Sequence, residues 1–487
     1  MAKDSSPSPA SLFEGYQTGG FYCELTNRGG QADPAIDLVL QRLSRMTTRD
    51  LRERAHAAEI ELYNLGITFT VYTERTAIDR ILPFDLIPRV IAHAEWQRLE
   101  RGIRQRVAAL NRFLWDIYHD QKALADGVIP RDLVLGNPNF RQEMIGFDPP
   151  CGTYVHIAGT DVVRDETGNF LVLEDNVRTP SGVSYVIENR RMMRRVMPDL
   201  IDDLDLAPVE EYGMALRRIL GEVAPEGIND PEIVLLSPGT YNSAYFEHVF
   251  LAREMGATLV EGRDLVVSDD RVFMRTIAGL KPVHTIYRRI DDAFLDPEAF
   301  RPDSMLGVPG LFRAYRAGNV TLANAVGTGV ADDKAVYAYV PRLIRYYLGE
   351  DPVLDTIETH ICAEPEALAY TLDNIENLVV KPVGESGGYG MIIGPHATPA
   401  EREAFREKLR NDPSNYISQP VLKLSTTPIL CGDTISPRHV DLRPFTLTGE
   451  SSWTLPGALS RVAIRAGSLV VNSSQGGGSK DTWVMAS

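Results

Sequence analysis

Residues 161–176 read DVVRDETGNFLVLEDN, in which two apolar runs flank a turn-forming DETGN. Apolar runs on both sides of a turn that contains Gly and Asn predict a β-hairpin. A hairpin that closes symmetrically about Thr167 and Gly168 places Asp161 directly opposite Glu174. The sequence therefore predicts two carboxylates that face each other across neighbouring strands.

These two carboxylates and a nearby amide indicate a possible metal site. Glu174 and Asn176 stand two residues apart, so their side chains share one face of the strand. Carboxylates at directly paired positions lie roughly 4.5–5.5 Å apart at Cβ and repel each other. A divalent cation between Asp161 and Glu174 would remove this repulsion, and oxygen donors of this kind suit Mg²⁺. The alternative is an ordinary solvated end of a hairpin.

A second candidate site lies about 200 residues further along the chain. Residues 378–382, LVVKP, predict a buried strand that ends in Lys381, and the glycine-rich GESGGYG of residues 384–390 follows. An apolar strand after the glycines is the wrong context for a dinucleotide-binding turn, and no G-K-[ST] of a P-loop is present. Backbone N–H groups of such a loop can hold a phosphate next to a lysine. The alternative is an ordinary glycine-rich turn.

Two further polar clusters are candidates for ligand binding. Alternation in HVDLR places His439, Asp441 and Arg443 on one face of a strand. Such a face is typically solvated, although the fork geometry of an arginine also suits a phosphate. Residues 287–292, YRRIDD, carry four charges directly after a strand-like segment. They are candidates for substrate contacts or for a salt-bridged strand end.

The composition restricts the function classes. The 487-residue chain has a formal net charge of −16, which argues against nucleic acid as the main partner. Its four cysteines are far apart in the sequence, which favours free thiols and makes a zinc site unlikely. No apolar leader and no run of 18 apolar residues occurs, so we expect a cytoplasmic protein without membrane contact.

Hydrophobic periodicity suggests how the chain is organised. Residues 34–126 show a helical pattern, and residues 185–195 predict another helix. Residues 232–330 alternate short apolar strands with a helix at 245–255, which predicts a parallel sheet. A further helix is predicted from residue 332 or 333 to 348.

Taken together, these segments resemble the circularly permuted ATP-grasp proteins related to glutathionylspermidine synthetase. The resemblance rests on LVLEDNVRTPSGVSY, IYRRIDDAFLDP, GTGVADDKAVYAYVP, VVKPVGESGGYG, RHVDLRPF and VNSSQGGGSKDTWV. In ordinary ATP-grasp enzymes the phosphate lysine precedes the E-x-N metal motif. Here the motif precedes Lys381, which matches the permuted order.

The resemblance implies a mixed α+β and α/β architecture. We expect a circularly permuted ATP-grasp fold with an inserted small α/β domain, similar to a pre-ATP-grasp domain, and a helical N-terminal region. The expected division is a flexible arm (1–30), the helical region (31–140), the part with the metal hairpin (141–230), the small substrate-side domain (231–330) and the part with the lysines (331–487).

The resemblance also assigns roles to single residues. It implies that Mg²⁺, with two ions expected, binds Asp161, Glu174 and Asn176. It implies an adenine-side contact at Gln419 and catalytic roles for Arg443, Arg288 and Lys381. The ATP phosphates are assigned to Lys334, Lys381 and the loop residues Gly384, Ser386, Gly387, Gly388, Tyr389 and Gly390. Where relatives carry an arginine two residues before the metal aspartate this chain has Gly159, and Arg164, Arg178 or Arg288 are candidates to replace that charge.

The implied reaction is ATP-dependent ligation of a carboxylate and an amine through an acyl phosphate. Small-molecule or peptide acids and amines are the expected partners, and a homo-oligomer is possible. The alternatives are an ATP phosphotransferase, which the same nucleotide site could support, and a nucleotide-binding component of a complex without ligase activity.

Overall fold

The computed structural model describes residues 12–29, 33–72, 77–384, 390–472 and 476–486. Within these residues no helix combines the length and the apolar character needed to cross a bilayer. All four cysteines carry free thiols, as their spacing predicts.

Helices and strands alternate along the whole chain. The α-helices are α1 (Pro34–Ser44), α2 (Thr48–Asn64), α3 (His93–Ile117), α4 (Lys122–Ala125), α5 (Arg131–Leu135), α6 (Val183–Val196), α7 (Pro198–Ile201), α8 (Tyr212–Glu222), α9 (Tyr245–Met255), α10 (Asp292–Leu295), α11 (Leu311–Arg316), α12 (Lys334–Tyr337), α13 (Val340–Leu348), α14 (Pro365–Asn374) and α15 (Pro399–Asn411).

The strands form several separate sheets. They are β1 (Thr68–Tyr72), β2 (Ala77–Ile81), β3 (Phe84–Ile91), β4 (Ile157–Arg164), β5 (Phe170–Asn176), β6 (Ile233–Leu236), β7 (Thr258–Val260), β8 (Leu265–Ser268), β9 (Arg271–Thr276), β10 (Gly279–Val283), β11 (Thr285–Arg288), β12 (Thr321–Ala323), β13 (Asp355–Thr356), β14 (His360–Ile361), β15 (Leu378–Pro382), β16 (Ile392–Ile393), β17 (Tyr416–Pro420), β18 (Thr426–Cys431), β19 (Thr434–Thr448), β20 (Ser452–Val462) and β21 (Gly478–Val484).

The largest sheet has the strand order β13-β5-β4-β19-β20-β21-β3, and β18 pairs with β19 beside it. Helix α3 covers one face, where Ala458 and Val484 belong to its core cluster. Helix α6 covers the other face, where Leu459 and Trp483 pack with its apolar residues. Because neighbouring strand residues point to opposite faces, these alternating positions divide the core into two layers.

The helical pattern expected for residues 34–126 is wrong in its middle part. Helices α1, α2 and α3 form, but residues 68–91 contain the strands β1, β2 and β3. Strand β3 pairs in parallel with β21, almost 400 residues away in the sequence. A short apolar run looks alike in a buried strand and in a buried helix, and this distant pairing decides for the strand.

The parallel sheet predicted for residues 232–330 is present. Strands β12-β11-β6-β7 make a four-stranded sheet whose pairs are all parallel. Helix α9 ends at Gly256, which has a left-handed φ of 62° and so closes the helix without a side-chain clash. An antiparallel ribbon of β8, β9 and β10 extends from this domain.

The last sheet carries the predicted lysine strand and has the order β14-β17-β15-β16. The single helix expected up to residue 348 is divided into α12 and α13. Pro341 lies in the first turn of α13, where its missing N–H costs nothing, whereas a continuous helix would lose a hydrogen bond there.

The buried ion pair between α6 and β21 allows a test of how strongly helix α6 is held to the sheet. Arg190 donates to Asp481 at 2.8 Å and to the carbonyl of Thr482 at 2.8 Å, and both side chains of the pair are fully buried. We expect Arg190→Met to lower the free energy of unfolding by about 3–5 kcal/mol, because Asp481 is left unpaired in the core.

Urea denaturation measures this loss, and Arg194→Met on the same helix is the control. Arg194 is half exposed and pairs with Glu210 at 3.3 Å, so its loss should cost about 0–1 kcal/mol. Equal losses in the two variants would contradict this account of the core.

Candidate functional site

The hairpin β4–β5 places Asp161 opposite Glu174, which confirms the predicted pairing. The predicted symmetric closure about Thr167 and Gly168 is wrong, because Arg164 pairs with Phe170 next to the turn. A β-bulge beside Asp161 then shifts the register by one residue and restores the predicted pairing. The two carboxylates therefore face each other for a reason that the turn alone does not supply.

Asp161 is the centre of a buried charge network that spans three strands. Its carboxylate accepts from Arg443 on β19, through Nε and through Nη2 at 2.8 Å. Arg461 on β20 donates to the same carboxylate at 2.6 Å and to Asp441 at 2.5 Å. Burial alone would raise the pKa of Asp161, but the two guanidiniums hold this pKa well below its ordinary value. Asp161 is therefore ionised at neutral pH.

Glu174 connects this network to the lysines. Lys334 Nζ lies 3.5 Å from Glu174 Oε2, and Arg443 Nη2 lies 3.8 Å from Glu174 Oε1. Lys381 donates to Gln419 Oε1 at 2.8 Å. Strand pairing makes this contact possible, because Lys381 and Gln419 belong to the adjacent strands β15 and β17. The tertiary structure thus brings together residues that the sequence separates by up to 300 positions.

The surroundings of Lys381 shift the pKa of its ammonium group. Burial lowers the pKa of Lys381 to about 8; the nearby Lys334 acts in the same direction, whereas Glu174 and Asp161 act in the opposite direction. The ammonium group is still largely protonated at neutral pH. It can therefore neutralise an anion at this position. As the pH rises, Lys381 loses its proton about two pH units below the pH at which an ordinary lysine does.

The site as a whole carries an excess of positive charge. Four cationic side chains surround three carboxylates: Lys334, Lys381, Arg443 and Arg461 against Asp161, Glu174 and Asp441. This local balance is opposite in sign to the net charge of the chain. The cluster is therefore suited to an anionic ligand such as a polyphosphate.

The predicted metal ligands fit a magnesium ion in their chemistry. Among the described residues no group of three or more His, Cys, Asp or Glu side chains is arranged to hold a metal, and the predicted set has two carboxylates and one amide. Among the residues that the structure describes, Asn176 Nδ2 is buried without a hydrogen-bond partner, so the amide nitrogen does not tie this side chain to another group. Mg²⁺ commonly takes few protein ligands and completes its shell with waters and phosphates.

Comparison with known proteins places this geometry in a family. The model of the circularly permuted ATP-grasp type 2 proteins matches residues 88–463. The chain belongs to this family. The match includes the metal hairpin, Lys334, Lys381, Gln419 and Arg443.

Several relatives and one solved structure are similar over most of their length. An uncharacterized protein of Synechocystis sp. is 52% identical over 473 residues, which cover 97% of this chain and 98% of that protein. An uncharacterized protein of Mycobacterium tuberculosis is 50% identical over 480 residues, 98% of this chain and 86% of that protein. A putative glutamate–cysteine ligase of Frankia alni is 43% identical over 97% of this chain, but only 54% of that protein is covered. The apo structure of a glutathione synthetase-like effector from Globodera pallida has a TM-score of 0.57 and 12% identity, with 95% and 100% of the two chains covered, which shows a shared fold.

In this ATP-grasp protein two arginines contact Asp161, and one of them was predicted from the sequence. Arg443 was predicted, whereas Arg461 was missed because its partner is 20 residues away and no motif surrounds it. The face of His439, Asp441 and Arg443 was expected to be solvated, and this is wrong. His439 and Asp441 are buried, and the Arg443 side chain is only 12% exposed.

The other candidate arginines are engaged elsewhere. Arg288 is buried and donates to the carbonyls of Asn324, Ile290 and Ala325, and it pairs with Asp292 at 2.7 Å. Arg164 pairs with Glu24 and Glu95, and Arg178 pairs with Asp332 and Asp291. None of these contacts brings the three arginines to Asp161 or Lys381. Arg443 is the arginine that lies next to Gly159, and it contacts Asp161 together with Arg461.

The glycine segment is described only at its ends. Strands β15 and β16 pair in antiparallel fashion, which confirms the predicted strand–loop–strand order. Gly384 is exposed, and Gly390 adopts a φ of 69° that favours glycine. Ser386, Gly387, Gly388 and Tyr389 lie outside the described residues, so their role as a phosphate lid stays a prediction.

The electrostatic coupling within the site is testable through the titration of Lys381. We expect Glu174→Gln to lower the pKa of Lys381 below about 8, because the nearest carboxylate that stabilises its ammonium form is removed. NMR of protein labelled at lysine Cε measures the titration midpoint.

Glu166→Gln is the matched control, because Glu166 lies in the same hairpin but pairs with Lys423 in an exposed position. The control should leave the Lys381 midpoint unchanged. A midpoint that does not move in Glu174→Gln would show that the two side chains are not coupled.

Proposed function

We propose that this protein is an ATP-dependent carboxylate–amine ligase that forms an amide or peptide bond. Membership of an ATP-grasp family supports an ATP-dependent ligase in general. The observation that carries the finer proposal is the convergence of Lys334, Lys381 and Arg443 on the Asp161–Glu174 pair, which supplies positive charge for phosphates beside donors for a metal.

The proposed reaction has two steps and needs no protein nucleophile. A substrate carboxylate attacks the γ-phosphorus of ATP, so that an acyl phosphate forms and ADP leaves. An amine then attacks the acyl carbon, the amide bond forms, and phosphate leaves as the amine loses a proton. In such reactions the protein contributes positioning and the neutralisation of developing charge.

The side chains of the cluster have distinct tasks in this scheme. Lys334 and Lys381 neutralise the phosphates, and Gln419 both orients Lys381 and faces the adenine side. Asp161, Glu174 and Asn176 would hold magnesium, which supplies further neutralisation of the phosphate oxygens when it is bound. Arg443 is the arginine placed to contact a transferring phosphoryl group, whereas Arg288 has its donors occupied by backbone carbonyls and Asp292.

An amino acid or a short peptide is the proposed class of acid substrate. The putative glutamate–cysteine ligase among the relatives supports this class, although the chain matches only about half of that protein. The phosphates of ATP and the carboxylate of the acid are both anionic, which agrees with the positive balance of the cluster.

A screen for amine-dependent ADP release tests the proposed function. Purified protein with ATP and Mg²⁺ is supplied with pairs of amino acids and short peptides, and mass spectrometry identifies the products. We expect ADP, phosphate and an amide in equal amounts for at least one pair, because the acyl phosphate is consumed only when an amine attacks it.

Two substitutions test whether the activity in this assay depends on the candidate site. Lys381→Met and Glu174→Gln should each lower the turnover by about 10²–10³-fold, because the first removes a positive charge that neutralises the transferring phosphoryl group and the second removes a proposed magnesium ligand. Glu166→Gln should retain activity. A stable phosphorylated product without an amine would instead indicate a phosphotransferase, and ATP binding without turnover of any pair would indicate a binding component.

A further inference from the structure

Arg443 occupies the space between the two predicted metal-ligand carboxylates. Its guanidinium binds both oxygens of Asp161 through Nε and Nη2, and Nη2 also lies 3.8 Å from Glu174. The side chain thereby removes the repulsion between carboxylates that the sequence assigned to a divalent cation. A guanidinium and a metal ion cannot bind this face of Asp161 together, because both are cationic and need the same lone pairs.

Arg461 also contacts Asp161, but it is anchored in a different way. Three of its contacts go to Asp441: Nε lies 3.0 and 3.1 Å from the two carboxylate oxygens, and Nη2 lies 2.5 Å from one of them. Arg461 thus keeps a buried carboxylate of its own whatever happens at Asp161. Beyond Asp161, the contacts of Arg443 within the described part of the chain are the carbonyl of Ser181 at 3.2 Å and the longer contact with Glu174.

The aliphatic stem of Arg443 is also less confined than it would be beside a strand residue that carries a side chain. Gly159 lies next to this stem, and a Cβ atom there would be 3.3 Å from Arg443 Cδ and 3.1 Å from Pro180 Cβ. Because Gly159 has no side chain, the Arg443 side chain can pass beside it and reach Asp161. With 12% of its side chain exposed, Arg443 is also the more accessible of the two arginines, since Arg461 is 7% exposed.

We propose that Arg443 is a placeholder cation that neutralises the Asp161–Glu174 pair in the metal-free protein and leaves Asp161 when a divalent cation binds there. Arg461, held by Asp441, keeps Asp161 in position throughout. After its release, the Arg443 guanidinium lies on the side of Glu174 and Lys334, where an anionic phosphate can receive it. The inference rests on the proposed function in taking Asp161 and Glu174 as metal ligands.

Binding of Mn²⁺ without nucleotide tests this inference directly. The electron paramagnetic resonance signal of free Mn²⁺ measures the dissociation constant for the wild type, Arg443→Met and Arg443→Gln. We expect both variants to bind Mn²⁺ about tenfold more tightly, because the metal no longer competes with a bound guanidinium. The glutamine variant keeps a polar side chain near Asp161 and provides the measurement if the methionine variant does not fold.

Arg438→Met is the matched control, because it removes one positive charge from the same strand. Arg438 donates to the carbonyl of Ile464 and to Cys431 Sγ and touches no predicted metal ligand. We expect its Mn²⁺ affinity to stay within about twofold of the wild type, since a partly exposed charge acts weakly over distance. If Arg438→Met also bound Mn²⁺ more tightly by the same factor, the loss of net positive charge would explain the change in affinity, and the inference would be overturned.

The assay also separates this inference from the proposed function, because it requires no turnover. Unchanged Mn²⁺ affinity in both Arg443 variants, or no Mn²⁺ binding in any variant, overturns the placeholder role. Tighter binding in these variants, combined with no ADP release for any acid–amine pair, would leave the placeholder role standing and contradict the ligase.

Discussion

The structure of the site depends on the need to neutralise one buried carboxylate. Asp161 lies in the middle of an extended sheet, where a lone ionised group would cost several kcal/mol of desolvation. Arg443 and Arg461 offset this cost from the two strands that follow in the sheet, and Asp441 in turn neutralises Arg461. The network links β4, β19 and β20 by side chains as well as by backbone hydrogen bonds. The oxygens that stabilise the sheet are therefore the same ones that the proposed metal site would use.

The permuted order of the motifs has little consequence once the sheet has formed. Strand β4 pairs with β19, and β3 pairs with β21, so N-terminal and C-terminal parts of the chain lie side by side. The β4–β5 hairpin consequently meets residues from the C-terminal third of the chain. Because strands that are distant in the sequence pair in this sheet, motifs from both halves of the chain meet in one cluster.

The small α/β domain contributes to the hairpin through side chains at its rim. Asn324, directly after β12, accepts from the N–H groups of His156 and Ile157 and donates to the carbonyl of Val177 at 2.8 Å. Asp332, which follows this domain in the sequence, accepts from the N–H of Val177 at the same end of the hairpin. These contacts satisfy backbone groups at the open end of β4–β5, opposite the turn. The hairpin that carries Glu174 and Asn176 is therefore held from the domain that was expected on the substrate side.

Local patterns of the sequence determined much of the fold and part of the site. The apolar runs that flank the turn in 161–176 predicted the hairpin, and the apolar run before Lys381 predicted the lysine strand, because both signals depend on neighbours within a few residues. Only the tertiary structure decided that residues 84–91 form a strand, that a bulge sets the register at Asp161, and that Arg461 and Asp441 complete the charge network. These features depend on pairings between residues from 13 to almost 400 positions apart, and a local pattern carries no information about which distant strand will supply the partner.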